Sequence, residues 1–171
     1  MKKEDVDYLV SLTKKVEKDG ILEDRIALDQ TVPLRLRYKL VSLENSDFTF
    51  LYDVDQSAKN YFKLSLHFMD NDSKIGLLRI DYCGQHPNPD TINHDLPEEY
   101  HPFVGKNFSY NEPHLHYYVD GYKPLVWAVP LSDSSFSVKS ISTAEDVIRA
   151  FIEFNQLINL GTRFKINPVL L

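Results

Sequence analysis

His114 and His116 stand two apart in the run Pro113-His-Leu-His-Tyr-Tyr-Val-Asp-Gly121, and five of the six histidines lie between positions 86 and 116. Side chains alternate along a strand, so both imidazoles would leave the same face. Neutral imidazole is the commonest protein metal ligand and the usual general acid or base near neutral pH. A metal site built on His114 and His116 would draw a third ligand from Asp81, His86, His94 or His101; catalytic zinc takes three protein ligands and keeps a position open for an activated water. The same residues admit metal-free cleavage of a phosphodiester. Two imidazoles can divide the acid and base roles while Arg79 holds the phosphate and Asp81 orients its neighbours. Plainer explanations stand beside both: half-buried, hydrogen-bonded histidines, and an Arg79–Asp81 ion pair that solvates one sheet face. No Cys pair, His-Glu-x-x-His run, nucleotide loop or nucleophile elbow accompanies them.

Other polar motifs are less specific. Arg35, Arg37 and Lys39 form a basic stripe, which reads more simply as a solvated sheet face than as a nucleic-acid surface, because few aromatics interleave with it. Its weight rises if it shares a face with the histidines. His86-Pro-Asn-Pro-Asp90 reads as a rigid turn, with each proline fixing its own φ and Asn88 and Asp90 able to bond back to the backbone. Trp127 reads as core or as a cover for the sheet edge, and Cys83 as a small semi-buried residue.

The elements that must position these residues follow from periodicity. Val6, Leu9, Val10 and Val16 at helical spacing, with Gly20 as a stop, predict an amphipathic helix over about 3–18. Period two then takes over: Leu34, Leu36, Tyr38 and Leu40; Phe48, Phe50, Tyr52 and Val54; Phe62, Leu64, Leu66 and Phe68; Leu78, Ile80 and Tyr82. These four runs, joined by short turns, predict an antiparallel meander. Residues 84–112 break the rhythm with prolines, histidines and acids, as a long loop or insertion that is functional or mobile. Strands resume at 114–119 and 125–129, the latter bracketed by Pro124 and Pro130 and so expected at an edge. Ser142-Thr-Ala-Glu145 reads as a capping box, and Val147, Ile148, Phe151, Phe154 and Ile158 as a helical stripe ending at Gly161. The expected fold is a single α+β domain over 1–171: two layers, a mainly antiparallel sheet of about six strands, and an N-terminal and a C-terminal helix on one face.

Composition bounds the function classes. Net charge of −6 disfavours non-specific nucleic-acid or anionic-membrane binding. Cys83 is the sole cysteine, so no internal disulfide can form. Acids occupy the N-terminus where a signal peptide needs an apolar core, and no apolar run approaches the roughly 18 residues of a membrane span. The chain is therefore expected in the cytoplasm.

Two segments resemble an uncharacterised family of small bacterial and phage-associated proteins, a domain of unknown function. They are Leu78-Arg-Ile-Asp-Tyr-Cys-Gly-Gln-His-Pro-Asn-Pro-Asp90 and Pro113-His-Leu-His-Tyr-Tyr-Val-Asp-Gly-Tyr122, the second followed by Trp127-Ala-Val-Pro-Leu131. The likeness covers about 75–160. It departs at Thr91, where the family has glycine, and in a longer stretch up to Glu112. It singles out Arg79, Asp81, His86, Asn88, Asp90, His114, His116 and Trp127, and it implies a mobile-element, toxin–antitoxin or phage-defence setting without supplying an activity. Two functions are carried forward. One is a His/Arg/Asp face, with or without a divalent metal, that binds or cleaves a phosphodiester, nucleotide or RNA ligand through His114, His116, Arg79 and Asp81, with His86, Asn88, Asp90 and Trp127 as ligand contacts. The other is a non-catalytic binding or inhibitor protein that meets a basic partner through its acidic surface and the 84–112 loop.

Overall fold

A computed structural model describes residues 1–30, 33–60 and 62–168. In chain order the elements are α1 (Lys3–Ser11), β1 (Lys14–Lys18), β2 (Ile21–Glu23), β3 (Arg25–Gln30), β4 (Leu34–Ser42), β5 (Thr49–Gln56), β6 (Leu64–Asp70), β7 (Gly76–Asp81), β8 (His86–Pro87), β9 (Asn107–Phe108), β10 (His114–Tyr117), β11 (Trp127–Pro130), α2 (Ala144–Leu157) and β12 (Arg163–Pro168). Eight strands form one antiparallel sheet in the order β11-β10-β7-β6-β5-β4-β1-β2. Two smaller pairs accompany it, parallel β3–β12 and antiparallel β8–β9. The α+β class and the β4–β7 meander agree with the sequence expectation, and β11 lies at an edge as its flanking prolines imply. The sheet is larger than the expected six strands.

The difference begins at the N-terminus. The helix expected over 3–18 stops at Ser11, and Val16 belongs instead to β1, paired with Leu40 of β4. Asp19 and Gly20, at φ 52° and 79°, form the two-residue turn between Lys18 and Ile21. Positive φ at both central residues is the hairpin geometry that Asp-Gly favours, so Gly20 closes a hairpin and does not stop a helix. At the other end the capping box sits one residue later than read. Thr143 Oγ1 accepts from Asp146 N (3.1 Å), and Asp146 Oδ2 accepts from Thr143 N (2.9 Å).

Alternation sorts the sheet into two faces. Leu40, Phe50, Tyr52, Val54, Leu66, Phe68, Ile80 and Leu115 are buried in the main core. Phe151 and Phe154 of α2 stack on Tyr52 with centroids 6.0 and 5.6 Å apart, and Val6 and Leu9 of α1 join the same cluster. Cross-strand register lines the opposite face with two polar rows. One runs Arg37, Asp53, His67, Arg79, His116 and Ala128; the other runs Arg35, Asp55, Ser65, Asp81, His114 and Pro130.

The 84–112 segment is ordered by its own backbone bonds, Gly84 to Tyr110 (2.9 Å), Asn88 to Lys106 (2.9 Å) and Gly105 to Pro89 (2.8 Å). It closes the β11 edge. Asn88 accepts from Ala128 N (2.9 Å) and donates to Ala128 O (2.8 Å) and Phe103 O (2.9 Å), so one amide side chain takes the place of a neighbouring strand. Leu96 and Tyr100 of this segment bury Trp127 and Val119 in a second, smaller core.

Candidate functional site

Register makes the site. His114 lies opposite Asp81 and His116 opposite Arg79 on adjacent antiparallel strands, so alternation on β7 and β10 brings all four side chains to one face. His116 Nε2 is 3.1 Å from Asp81 Oδ2, and His114 Nε2 is 4.0 Å from the same oxygen. Arg79 grips the carboxylate from the other side, with Nε 2.9 Å from Oδ2 and Nη2 donating to Oδ1 at 3.0 Å. Asp81, His114 and His116 are buried, whereas the Arg79 side chain is 43% exposed.

Backbone carbonyls fix the imidazoles. His114 Nδ1 donates to Glu112 O (2.8 Å) and His116 Nδ1 donates to Leu125 O (2.9 Å). A carbonyl only accepts, so each Nδ1 carries the proton and each Nε2 is turned toward Asp81. His86 packs edge-on to His116 at 4.5 Å between centroids and stacks on His114 at 5.7 Å, with its Nε2 donating to Val126 O (2.8 Å).

Burial holds the surrounding imidazoles neutral. It pushes His114 down to about 4, against the opposing pull of the Glu112 carbonyl. It also pushes His67 down to about 4, helped by the charge of Arg79, and lowers His86. Burial opposes ionisation of Asp81 as well, but the hydrogen bond from His116 and the Arg79 charge outweigh it and hold that carboxyl well below its ordinary range.

The open side of the site is a groove of about 430 Å³ lined by Arg35, Asp55, Lys63, Arg79, Asp81 and Gln85. It adjoins a second groove of about 410 Å³ over Arg37, Asp53 and His67, the two sharing Arg35, Asp55, Ser65 and Arg79. These volumes suit a small ligand. The basic stripe therefore shares the histidine face, but much of its charge is paired: Arg37 is bidentate to Asp53 (2.6 and 2.7 Å) and Lys39 meets Glu17 at 2.6 Å. Among the described residues Arg35 keeps only a loose contact to Asp55, 3.6 Å away. The cations turned to the groove are Arg35, Lys63 and the outer edge of Arg79.

The remaining sequence-derived candidates are placed as follows. Among the described residues the ligand-type cluster is Asp81, His114 and His116. His94 is solvent-exposed against Asp95, and His101 lies exposed in the 3-10 turn Glu98–Phe103. Asn88 is engaged by the β11 edge, Asp90 lies beside Gly105, and Trp127 is fully buried, its indole nitrogen without a hydrogen-bond partner among the described residues. His67 and Lys63 were not singled out from sequence, and Arg35 entered only as part of the basic stripe. The available signal was that Lys63, Ser65 and His67 alternate with the core residues of β6 and so had to face the same way as Arg79.

A family model described as "Family of unknown function (DUF6978)" matches residues 1–160. The chain belongs to the DUF6978 family. The DUF6978 match reaches well beyond the 75–160 stretch that carried the resemblance, and takes in β1–β6 as well as the site strands β7 and β10. No curated protein and no solved structure matches the chain. No helix among the described residues is long and apolar enough to cross a membrane.

Proposed function

We propose that this DUF6978 protein binds a phosphate-bearing ligand of the nucleotide or RNA class in the groove over Arg35, Lys63 and Arg79. The observation that carries the reading is the position of Arg79. Its Nε and Nη2 meet the buried Asp81 while the residue also lines the groove, and a guanidinium is the side chain best shaped to hold a planar or tetrahedral oxyanion. Binding is favoured over direct acid–base cleavage by the imidazoles, because His114 and His116 are 1% and 4% exposed and neither lines the groove. The resemblance of the site motifs to phage-associated proteins leads us to extend the proposal to a mobile-element or phage-defence setting.

Fluorescence anisotropy with a labelled short single-stranded RNA, competed by mononucleotides, tests the reading. Arg79→Gln should weaken binding roughly 10- to 100-fold, the worth of a hydrogen bond to a charged group, with the circular dichroism spectrum unchanged. Undiminished binding in that variant removes the proposal. A second reading, a protein partner with a basic surface, is supported by exposed Ile92 (56%) set near exposed Asp95, Glu98 and Glu99 in the 84–112 segment. Charge reversal at Glu98 and Glu99 would abolish that association and leave RNA binding intact.

A further inference from the structure

We propose that Asp81, His114 and His116 form a binding site for a divalent first-row transition metal ion of the zinc type; this rests on, and deepens, the reading of the adjoining groove as a phosphate site. The three ligand atoms lie within 4.8 Å of one another. Two ligands each about 2.0–2.1 Å from a tetrahedral zinc stand roughly 3.3 Å apart. The 3.1 and 4.0 Å separations from Asp81 Oδ2 to the two Nε2 atoms bracket that value.

Proton placement is the stronger argument. Both Nδ1 protons go to carbonyls, of Glu112 and Leu125, so the two Nε2 atoms are the ones turned to the Asp81 carboxylate. The hydrogen bond from His116 joins that ring to Asp81, but His114 Nε2 stands 4.0 Å from the same oxygen, beyond hydrogen-bond reach. A cation satisfies all three at once. Backbone carbonyls that lock the far nitrogen of each histidine are the outer-shell arrangement that presents Nε2 to a metal.

Two nitrogens and one carboxylate oxygen make a borderline donor set, suited to zinc, iron, cobalt or nickel more than to magnesium or calcium. Three ligands leave zinc one short of its usual four. The remaining position falls to a water or to a phosphate oxygen of the ligand in the adjoining groove, which Asp81 also lines. Arg79 neutralises the carboxylate at present. With the ion in place its guanidinium is freer to turn to the anion, so metal and phosphate should bind with mutual reinforcement.

The test uses the full chain purified without chelator or metal-affinity tag. Elemental analysis is expected to find stoichiometric zinc. After chelation, titration with Co²⁺ should give the visible d–d absorption of a nitrogen- and oxygen-ligated ion, displaced by Zn²⁺. Asp81→Asn, His114→Ala and His116→Ala should each weaken Co²⁺ binding ~100-fold or more, above the roughly 10- to 100-fold effect of losing an outer-shell partner. His94→Ala and His101→Ala should leave it unchanged. Any site variant that misfolds is replaced by the wild type with and without Zn²⁺, whose thermal midpoint must rise with the ion. A folded, chelator-treated wild type that takes up no Co²⁺, or uptake that survives the His114→Ala/His116→Ala double substitution, overturns the proposal. Arg79-dependent RNA binding by the metal-free protein is read separately. Its persistence without Co²⁺ uptake rejects the metal site alone, and its loss in both states rejects the groove reading.

Discussion

Lys14 is the most unusual side chain outside the site. It is fully buried, and its ammonium donates to the carbonyls of Val10 (2.9 Å), Leu12 and Ile158 (3.0 Å) while sitting 5.1 and 5.2 Å from the rings of Phe50 and Phe68. One cation thus gathers the backbone just after α1 and the end of α2, where helix carbonyls lack partners. Burial lowers its pKa from 10.5 to about 7, against the pull of Glu44. Between those two values the unfolded chain holds a proton that the native chain has released, so stability rises with pH across this window and is lost as pH falls through 7. Urea unfolding at pH 7, 8 and 9 should show that rise, and Lys14→Met should flatten it even though its overall stability drops. A wild-type curve no steeper than the variant's would rule this account out. Arg79 and Asp81 were legible in sequence because two residues on one strand face need only alternation to place them. Lys14 was not, because nothing local marks a lysine whose partners lie at positions 10, 12 and 158.

Among the elements, the meander was the most readable and the N-terminal region the least. Four strands with apolar residues at every second position bury one face whatever their neighbours, so β4–β7 follow from local pattern. Val16 extends the helical spacing of Val6, Leu9 and Val10 into the stretch 12–18, yet β1 there pairs with β4 and β2, and the pairing overrides the weaker periodicity. The same limit hid the role of the 84–112 segment. Its prolines identified a rigid turn, but that Asn88 brackets Ala128 depends on a contact 40 residues away. Replacing Asn88 by Ala should leave buried backbone groups of Ala128 and Phe103 unpaired and cost about 2–3 kcal/mol by denaturant unfolding. A change under half a kcal/mol would mean that other groups or water satisfy that edge. The histidine pair was legible down to its shared face, with Asp81 among its candidate partners; what sequence did not separate was Asp81 from His86, His94 and His101, since Asp81 meets the pair only through the β7–β10 register.

For the whole molecule, the decisive contrast is between an acidic chain of net charge −6 and a groove edged by Arg35, Lys63 and Arg79. Two or three phosphate contacts on a single strand imply a shallow salt dependence. RNA affinity should fall roughly tenfold between about 50 and 200 mM salt, against the roughly 10³–10⁵-fold of proteins that grip many phosphates. Anisotropy across a salt series measures the slope, and a steep one would point to a far larger basic surface than this face provides. The eight-stranded sheet has two ends, and they are finished differently. At one, β2 is only three residues long; at the other, the chain folds back and lends β11 an amide in place of a neighbour. A variant that loosens this amide contact should bare the row of main-chain donors and acceptors on which open-ended self-assembly begins.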